Sequence, residues 1–499
     1  MFRSFRMSFT YKKKKTFIWK PNVFWQSWTF YRRADAFKKF ILKGPPFPLR
    51  YIAHGDYDTN CTSLRSVAEG PTASEQLSLC EDAIFWEHHD TNGQVIQRPV
   101  ILSCDASRKN WNTVMGPLLD PEPRGSLWLY MPDEPSYHLR SSNIIPRNRA
   151  HPISLVNYPP NHDFHPLGIA IWPSHDTSPS NFYVINHART RTFIEQFTMS
   201  PDKPTEAIHI RSIASSYFIS PNGLALTSPD AFYVTNNHLM TRRLPFLGRF
   251  LPGLESIFAL PLGFVLHITL NDPSHHHHTT TPIAHLNIVK LFIPFPNGIA
   301  LSPSGEEVAL ASSSMGELLF FNRNQATNAL TLRRTVSIPF LPDNVHYAVG
   351  RQHDGEKEKT NVIVAGHPNL RDLQKVVANV SGATTASWVV AVVPNAEGIG
   401  QRKFDLEAPI SASSRVNSRM DAEWTLKTIF QSNGEEHLGG FASSSTGLVD
   451  EETGTFYVTG LYAREGALVC RTTQGNWHVS YSSHTTRAVK LTSIPELKA

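Results

Sequence analysis

Oxygen-bearing side chains at wide intervals are the first hint of chemistry in this sequence. Glu81-Asp82 and Asp343-Asn344 each set two of them side by side, and Asn222 and Asn297 stand at the same place in two copies of one phrase, Pro221-Asn222-Gly223-Leu224-Ala225-Leu226 and Pro296-Asn297-Gly298-Ile299-Ala300-Leu301. If Glu81, Asn222, Asn297, Asp343 and Asn344 converged, they would offer oxygen alone, with neither thiolate nor imidazole. Such a set suits a hard cation. Ca²⁺ takes about six to eight oxygens and mixes carboxylates with amide and backbone carbonyls. Glu81 and Asp343 would match its charge and leave positions for water or substrate. Taken singly, each Asn is more simply a turn former ahead of Gly; recurrence at one phase of a repeat favours a ligand. The run His275 to His278 carries less, because neighbours in one loop cannot all face one ion, and it reads as a solvated insertion.

Residues so far apart need a repeating scaffold to meet. Each Pro-Asn-Gly phrase reads as an Asn-Gly turn feeding an apolar strand, followed by a second turn (Ser228-Pro229-Asp230, Ser302-Pro303-Ser304-Gly305) and another strand. From about residue 72 onward, β-branched and aromatic runs recur every 8–15 residues or so, which predicts all-β rather than alternating strands and helices. Tyr183-Val184-Ile185-Asn186, Tyr233-Val234-Thr235-Asn236 and Tyr457-Val458-Thr459-Gly460 look like one strand in different repeats. Some twenty strands at four to a blade predict a β-propeller of about six blades, whose axis would gather the oxygen donors. The expected layout is an all-β, six-bladed β-propeller over 56–475, an N-terminal extension over 1–55 and a C-terminal one over 476–499. Surface insertions are expected at 239–256, 271–282 and 396–420.

Composition narrows the partners. Of 499 residues 40% are hydrophobic and 18% charged, as in a packed globular chain. The net charge of +5 is concentrated at the start, where residues 1–40 carry eleven Lys or Arg against Asp35 alone. The remainder is slightly acidic, so nucleic acid is not an expected partner of the folded part. Lys20, Pro21 and Asn22 break the aromatic run of 1–40 before the roughly 18–20 apolar residues a bilayer span requires, and no clean signal peptide is seen. The simplest reading of 1–40 is a segment without fixed structure; its alternative is peripheral contact with a membrane or lipid surface, for which 239–256 is also suited. Cys80 and Cys104 read as buried thiols in apolar strands. Cys61 and Cys470 fall near the two ends of the folded region, where a disulfide would close a propeller's ring and imply an oxidising compartment. The sequons Asn60-Cys61-Thr62 and Asn379-Val380-Ser381 agree with a secretory or extracellular setting.

The order and spacing of Cys80-Glu81-Asp82, Pro166-Leu167-Gly168-Ile169, Val184-Ile185-Asn186-His187, Phe232-Tyr233-Val234-Thr235-Asn236-Asn237-His238, Phe295-Pro296-Asn297-Gly298-Ile299, Pro342-Asp343-Asn344 and Gly366-His367-Pro368-Asn369 resemble the serum paraoxonase/arylesterase family. That family consists of calcium-dependent lactonases and esterases built as six-bladed propellers. The resemblance runs from about Asn60-Cys61 to Cys470. It implies that Glu81, Asn222, Asn297, Asp343 and Asn344 hold a catalytic calcium. A second, structural calcium would use Asp82 and the carbonyl of Ile169, but the third acidic position is Gly223 here, which puts that site in doubt. One member of the family's histidine pair is His187. The other falls on Leu167, and His165, two residues earlier, is the candidate substitute. His238, His367 and Phe295 match pocket residues, and Cys61 and Cys470 match an end-joining disulfide.

The implied function is calcium-dependent hydrolysis of aryl esters or lactones, and of phosphotriesters as a further substrate class. Calcium would polarise the carbonyl or phosphoryl oxygen while His187, helped by His165, activates water. Segment 239–256 and Phe295 would seat the aryl or acyl group. Two other readings stand beside it. One is a propeller enzyme resembling strictosidine synthase or gluconolactonase proteins, which share the Asn-Gly turns. The other is a catalytically silent calcium-binding scaffold, favoured by the departures at Leu167 and Gly223.

Overall fold

The computed structural model describes residues 21–42, 61–68, 76–133, 146–272, 281–350, 361–394, 408–412, 415–416 and 424–471, with side chains from 29 onward. The expectations placed on His275 to His278, Asn60, residues 1–20 and 476–499 lie outside these residues. Among the described residues the chain is all-β and propeller-like. Six strands run side by side around an axis, each touching the next and the last touching the first: β1 (Cys80–Phe85), β2 (Pro166–Ile171), β3 (Pro221–Ser228), β4 (Pro296–Leu301), β5 (Leu341–Tyr347) and β6 (Ser444–Asp450). Outside β3, β4, β5 and β6 lie antiparallel four-stranded sheets. The sheets of β1 and β2 are fused into one of eight strands through a parallel pair of outer strands, Glu206 opposite Ser154 to Ile208 opposite Val156.

Apolar side chains from facing sheets fill the space between them. Tyr233, Val265, Val308, Leu310 and Phe321 form one such layer, and Phe430, Phe441, Phe456 and Val458 belong to another. The three Tyr-Val-x-Asn/Gly stretches are indeed equivalent, each being the second strand of its sheet. The sheet of β6 is completed by the strand Cys61–Ser63, which pairs with Ala467–Arg471 in register Cys61 opposite Cys470. A disulfide joins those two residues across 409 positions of sequence.

Three sequence expectations need correcting. Cys80 and Cys104 are not free thiols: they face each other across β1 and its neighbour and form a second disulfide. The Pro-Asn-Gly phrases are not turns; they open strands, and neither Gly223 nor Gly298 has a positive φ. Residues 21–42 are not without structure. They form α1 (Pro21–Phe37), which continues as a wider helical turn over Lys38–Leu42. Segment 239–256 contains only short helical pieces, Leu247–Arg249 and the start of α2 (Leu251–Ile257), in keeping with its prolines.

Candidate metal centre and substrate cavity

Every inner strand begins with a break in register, and that break aims the oxygen donors. Pairing skips from Pro221 to Leu224 in β3, from Pro296 to Ile299 in β4 and from Pro342 to Val345 in β5. A bulge of this kind turns side chains out of the pleat. Asn222, Asn297 and Asp343-Asn344 occupy those bulges, and Glu81 sits in the corresponding break between Cys80 and Asp82. The glycines allow the inner strands to approach closely. A Cβ on Gly298 would come 2.5 Å from the Cα of Asn344, and one on Gly168 would come 2.1 Å from the carbonyl oxygen of Asn222. Hydroxyls then seal strand to strand: Thr235 donates to the Asn297 carbonyl at 2.8 Å, Ser313 to that of Pro342 at 2.5 Å, and Thr446 to that of Glu81 at 3.0 Å.

Glu81, Asn222, Asn297 and Asp343 line one cavity of about 70 Å³ at the start of these strands. Three of their oxygens, Glu81 Oε2, Asn222 Oδ1 and Asn297 Oδ1, are buried with no hydrogen-bond partner. The rest of the group is tightly tied. Asn297 Nδ2 donates to Asp343 Oδ1 at 2.6 Å and to Ser313 Oγ at 3.0 Å, and Asn344 Nδ2 donates to Glu81 Oε1 at 3.2 Å and to Thr446 Oγ1 at 2.9 Å. Burial, then the charges of Asp82 and Asp343, push the Glu81 carboxyl well above the usual carboxylate range. Orphaned buried acceptors beside crowded carboxylates are costly unless a cation answers them. Among the described residues no three His, Cys, Asp or Glu side chains are grouped for a metal; two of the donors here are amides.

The position implied for a second ion differs. Asp82 accepts at both oxygens, at Oδ2 from the Ile169 N–H at 3.0 Å and at Oδ1 from the Ala83 N–H at 2.8 Å. Ile169 reaches Asp82 through its N–H, and Gly223 adds no side-chain oxygen. The position thus has one carboxylate fewer than the resemblance implies.

The histidines divide sharply. His367 lines the cavity; its Nε2–H donates to Asp343 Oδ2 at 2.9 Å, and its Nδ1 is buried without a partner. His187 and His165 do not line it. His187 donates from Nε2 to the Pro221 carbonyl at 3.0 Å and accepts the Thr113 hydroxyl at Nδ1, while burial, aided by Arg243, pushes its pKa down to about 3. His165 precedes β2 and donates from Nδ1 to Asp105 Oδ2 at 3.0 Å, so it does not share the cavity-facing side of Leu167, which does line it. His238 stands behind the wall, between Asn237 and Ser256, its ring centre 4.5 Å from that of Phe295. Phe295 lines the cavity from a left-handed backbone at φ 45°.

Of segment 239–256 only Ser256 reaches the cavity. Its apolar side chains face outward instead, Phe246 being 94% exposed. Sequence reasoning missed the residues that supply much of the apolar lining, namely Ala36, Phe37, Phe40 and Ile41 of the N-terminal helix and Leu370 and Leu373 of α3 (Leu370–Val377). A helical signal was present, since 36/40 and 37/40/41 follow the i, i+3, i+4 spacing.

A family model described as Arylesterase matches residues 121–398, more than half of the chain. Human serum paraoxonase/arylesterase 1 is 23% identical over 206 residues, which cover 41% of this chain and 50% of that protein. Bovine serum paraoxonase/arylesterase 2 is 22% identical over 304 residues, covering 60% and 68%. The chain thus spans about half the length of several of the curated relatives it matches. Among solved structures, a luciferin-regenerating enzyme aligns over 79% of this chain and 93% of its own at TM-score 0.37 and 10% identity. A gluconolactonase from Xanthomonas campestris aligns over 86% and 98% at 0.34 and 13%.

Proposed function

The chain belongs to the arylesterase family, and on that footing we propose that it is a calcium-dependent hydrolase of aryl esters and lactones, with phosphotriesters as a further class. We count six blades, taking the eight-stranded sheet as two blades fused at their rims. The observation that carries the reading is the set of three orphaned buried oxygens from Glu81, Asn222 and Asn297, gathered with Asp343 on one cavity. These four residues and Asn344 would hold one Ca²⁺. When bound, it supplies a positive charge that polarises a carbonyl or phosphoryl oxygen.

The chain's own groups do the rest. His367 keeps its proton at Nε2, where the Asp343 carboxylate accepts it, which leaves Nδ1 an unpaired acceptor on a ring that lines the cavity. It is the general base we assign, in place of His187 and His165, because it alone of the three lines the cavity. His187 is a positioning residue that pins the head of β3 through the Pro221 carbonyl. Phe295 and Leu167 exclude water beside the oxygens. Two disulfides suit the secretory or extracellular setting we propose. The exposed apolar and basic face of 239–258 is proposed as its contact with a lipid surface.

Hydrolysis of phenyl acetate and of γ- and δ-lactones, with calcium and after EGTA, tests the reading. We expect activity that EGTA removes and calcium restores, a melting temperature raised by calcium, and loss of both in Asp343→Ala. A silent calcium-binding scaffold is the second reading, favoured by Leu167 standing in the cavity where the family often carries His. Calcium uptake by calorimetry with hydrolysis at the background rate would select it; no uptake would remove both.

A further inference from the structure

The N-terminal helical segment, which the sequence leaves as an appendage, is built into the cavity. Phe40 is 2% exposed, far from what a loose terminal segment would show. Its seat is specific. Gly316 lies beneath it at φ 61°, and a Cβ there would come 2.4 Å from the Phe40 ring, so a side chain at that position would evict it. The Arg415 guanidinium lies over the same ring at 5.3 Å, donates to the Lys39 carbonyl at 2.6 Å and reaches the carbonyl of Pro368, the residue after His367, at 3.2 Å. Arg32 pairs with Glu317 beside Gly316. Phe40 packs with Leu370, Leu373 and Leu461, and Phe37 and Ile41 join it on the cavity wall. With this wall in place the cavity holds about 70 Å³, small beside the ~300–1,000 Å³ of ordinary small-molecule sites.

We infer that residues 36–41 form one wall of the substrate site, Phe37, Phe40 and Ile41 setting the length of the apolar group an ester or lactone can carry. The substrate class is then compact: esters of short acyl chains and lactones with short side chains. The inference rests on the hydrolase reading above. A missing methylene in an apolar pocket is worth about 10–200-fold in discrimination, so opening the wall should be read easily.

The test compares full-length protein with Phe40→Ala and Ile41→Ala on p-nitrophenyl esters from acetate to decanoate, each variant's fold being checked by near-ultraviolet circular dichroism. The expected result is a decanoate-to-acetate ratio of kcat/KM raised at least tenfold in Phe40→Ala and less in Ile41→Ala. Should Phe40→Ala fail to fold, Phe37→Leu takes its place with the same expected direction. Ratios within twofold of the unsubstituted protein in folded variants overturn the inference. If the protein hydrolyses neither esters nor lactones, the hydrolase reading fails, and calorimetry with alkanoates of two to ten carbons decides the wall alone. A preferred length that grows in the variants upholds it; an unchanged preference, or no binding, overturns it.

Discussion

At the scale of single residues, the histidines differ in what their ring nitrogens are left to do. The family resemblance points to His187 as the base; its two nitrogens are engaged by Pro221 and Thr113, whereas Nδ1 of His367, a residue of the cavity wall, is buried without a partner. His367→Gln should therefore lower kcat by roughly 10²–10⁴-fold, the usual worth of a general base, with little change in melting temperature. His187→Gln should do the reverse, lowering the melting temperature more than kcat; equal kcat losses in the two variants would remove the assignment. Glu195 gives a second expectation, in pH. Burial alone would raise its carboxyl, but hydrogen bonds from His162, His209, Asn186 and Ser212 outweigh burial and hold it at about 2. A folded value below the unfolded one means stability that is complete above about pH 4.5 and drains away as pH falls toward 2. The amount is on the order of 3 kcal/mol. Urea midpoints from pH 6 to pH 2 should fall steeply in the natural chain and less in Glu195→Gln.

Strands, bulges and helices account for what the sequence made legible and what it hid. The all-β reading held because the strand signal is local: alternating burial, β-branched residues and turn residues all act within a few positions. Pro-Asn-Gly was misread as a turn because the same residues serve a bulge, where the glycine's missing Cβ matters for a neighbouring strand, Asn297 for Gly223 and Asn344 for Gly298, 74 and 46 positions away in sequence. No local rule contains either distance. Cys80 and Cys104 hid for a related reason, since apolar neighbours describe a buried thiol and a buried disulfide equally well. The wall at Phe37 and Phe40 was obscured by the surrounding lysines and aromatics. Segment 239–258 turned out to face solvent with Phe246, Leu247, Phe250 and Phe258, beside Arg249. Burying two such rings in lipid is worth about 3–6 kcal/mol. Phe246→Ser/Phe250→Ser should thus reduce co-sedimentation with phosphatidylcholine/phosphatidylserine vesicles at least tenfold; undiminished binding would remove this face as the contact.

Taken as a whole, the molecule depends on a ring in which no strand owns the site. The donors come from four inner strands, three of them tied by hydroxyls to a neighbouring sheet, so the cavity exists only while the circle is complete. Completion rests on one short strand, Cys61–Ser63, fastened by the Cys61–Cys470 bond. That single fastening makes the backbone between its ends a covalent hoop. A protease that cleaves once within the hoop leaves two pieces that cannot part. On a denaturing gel the clipped protein should run as one species without thiol and as two with it.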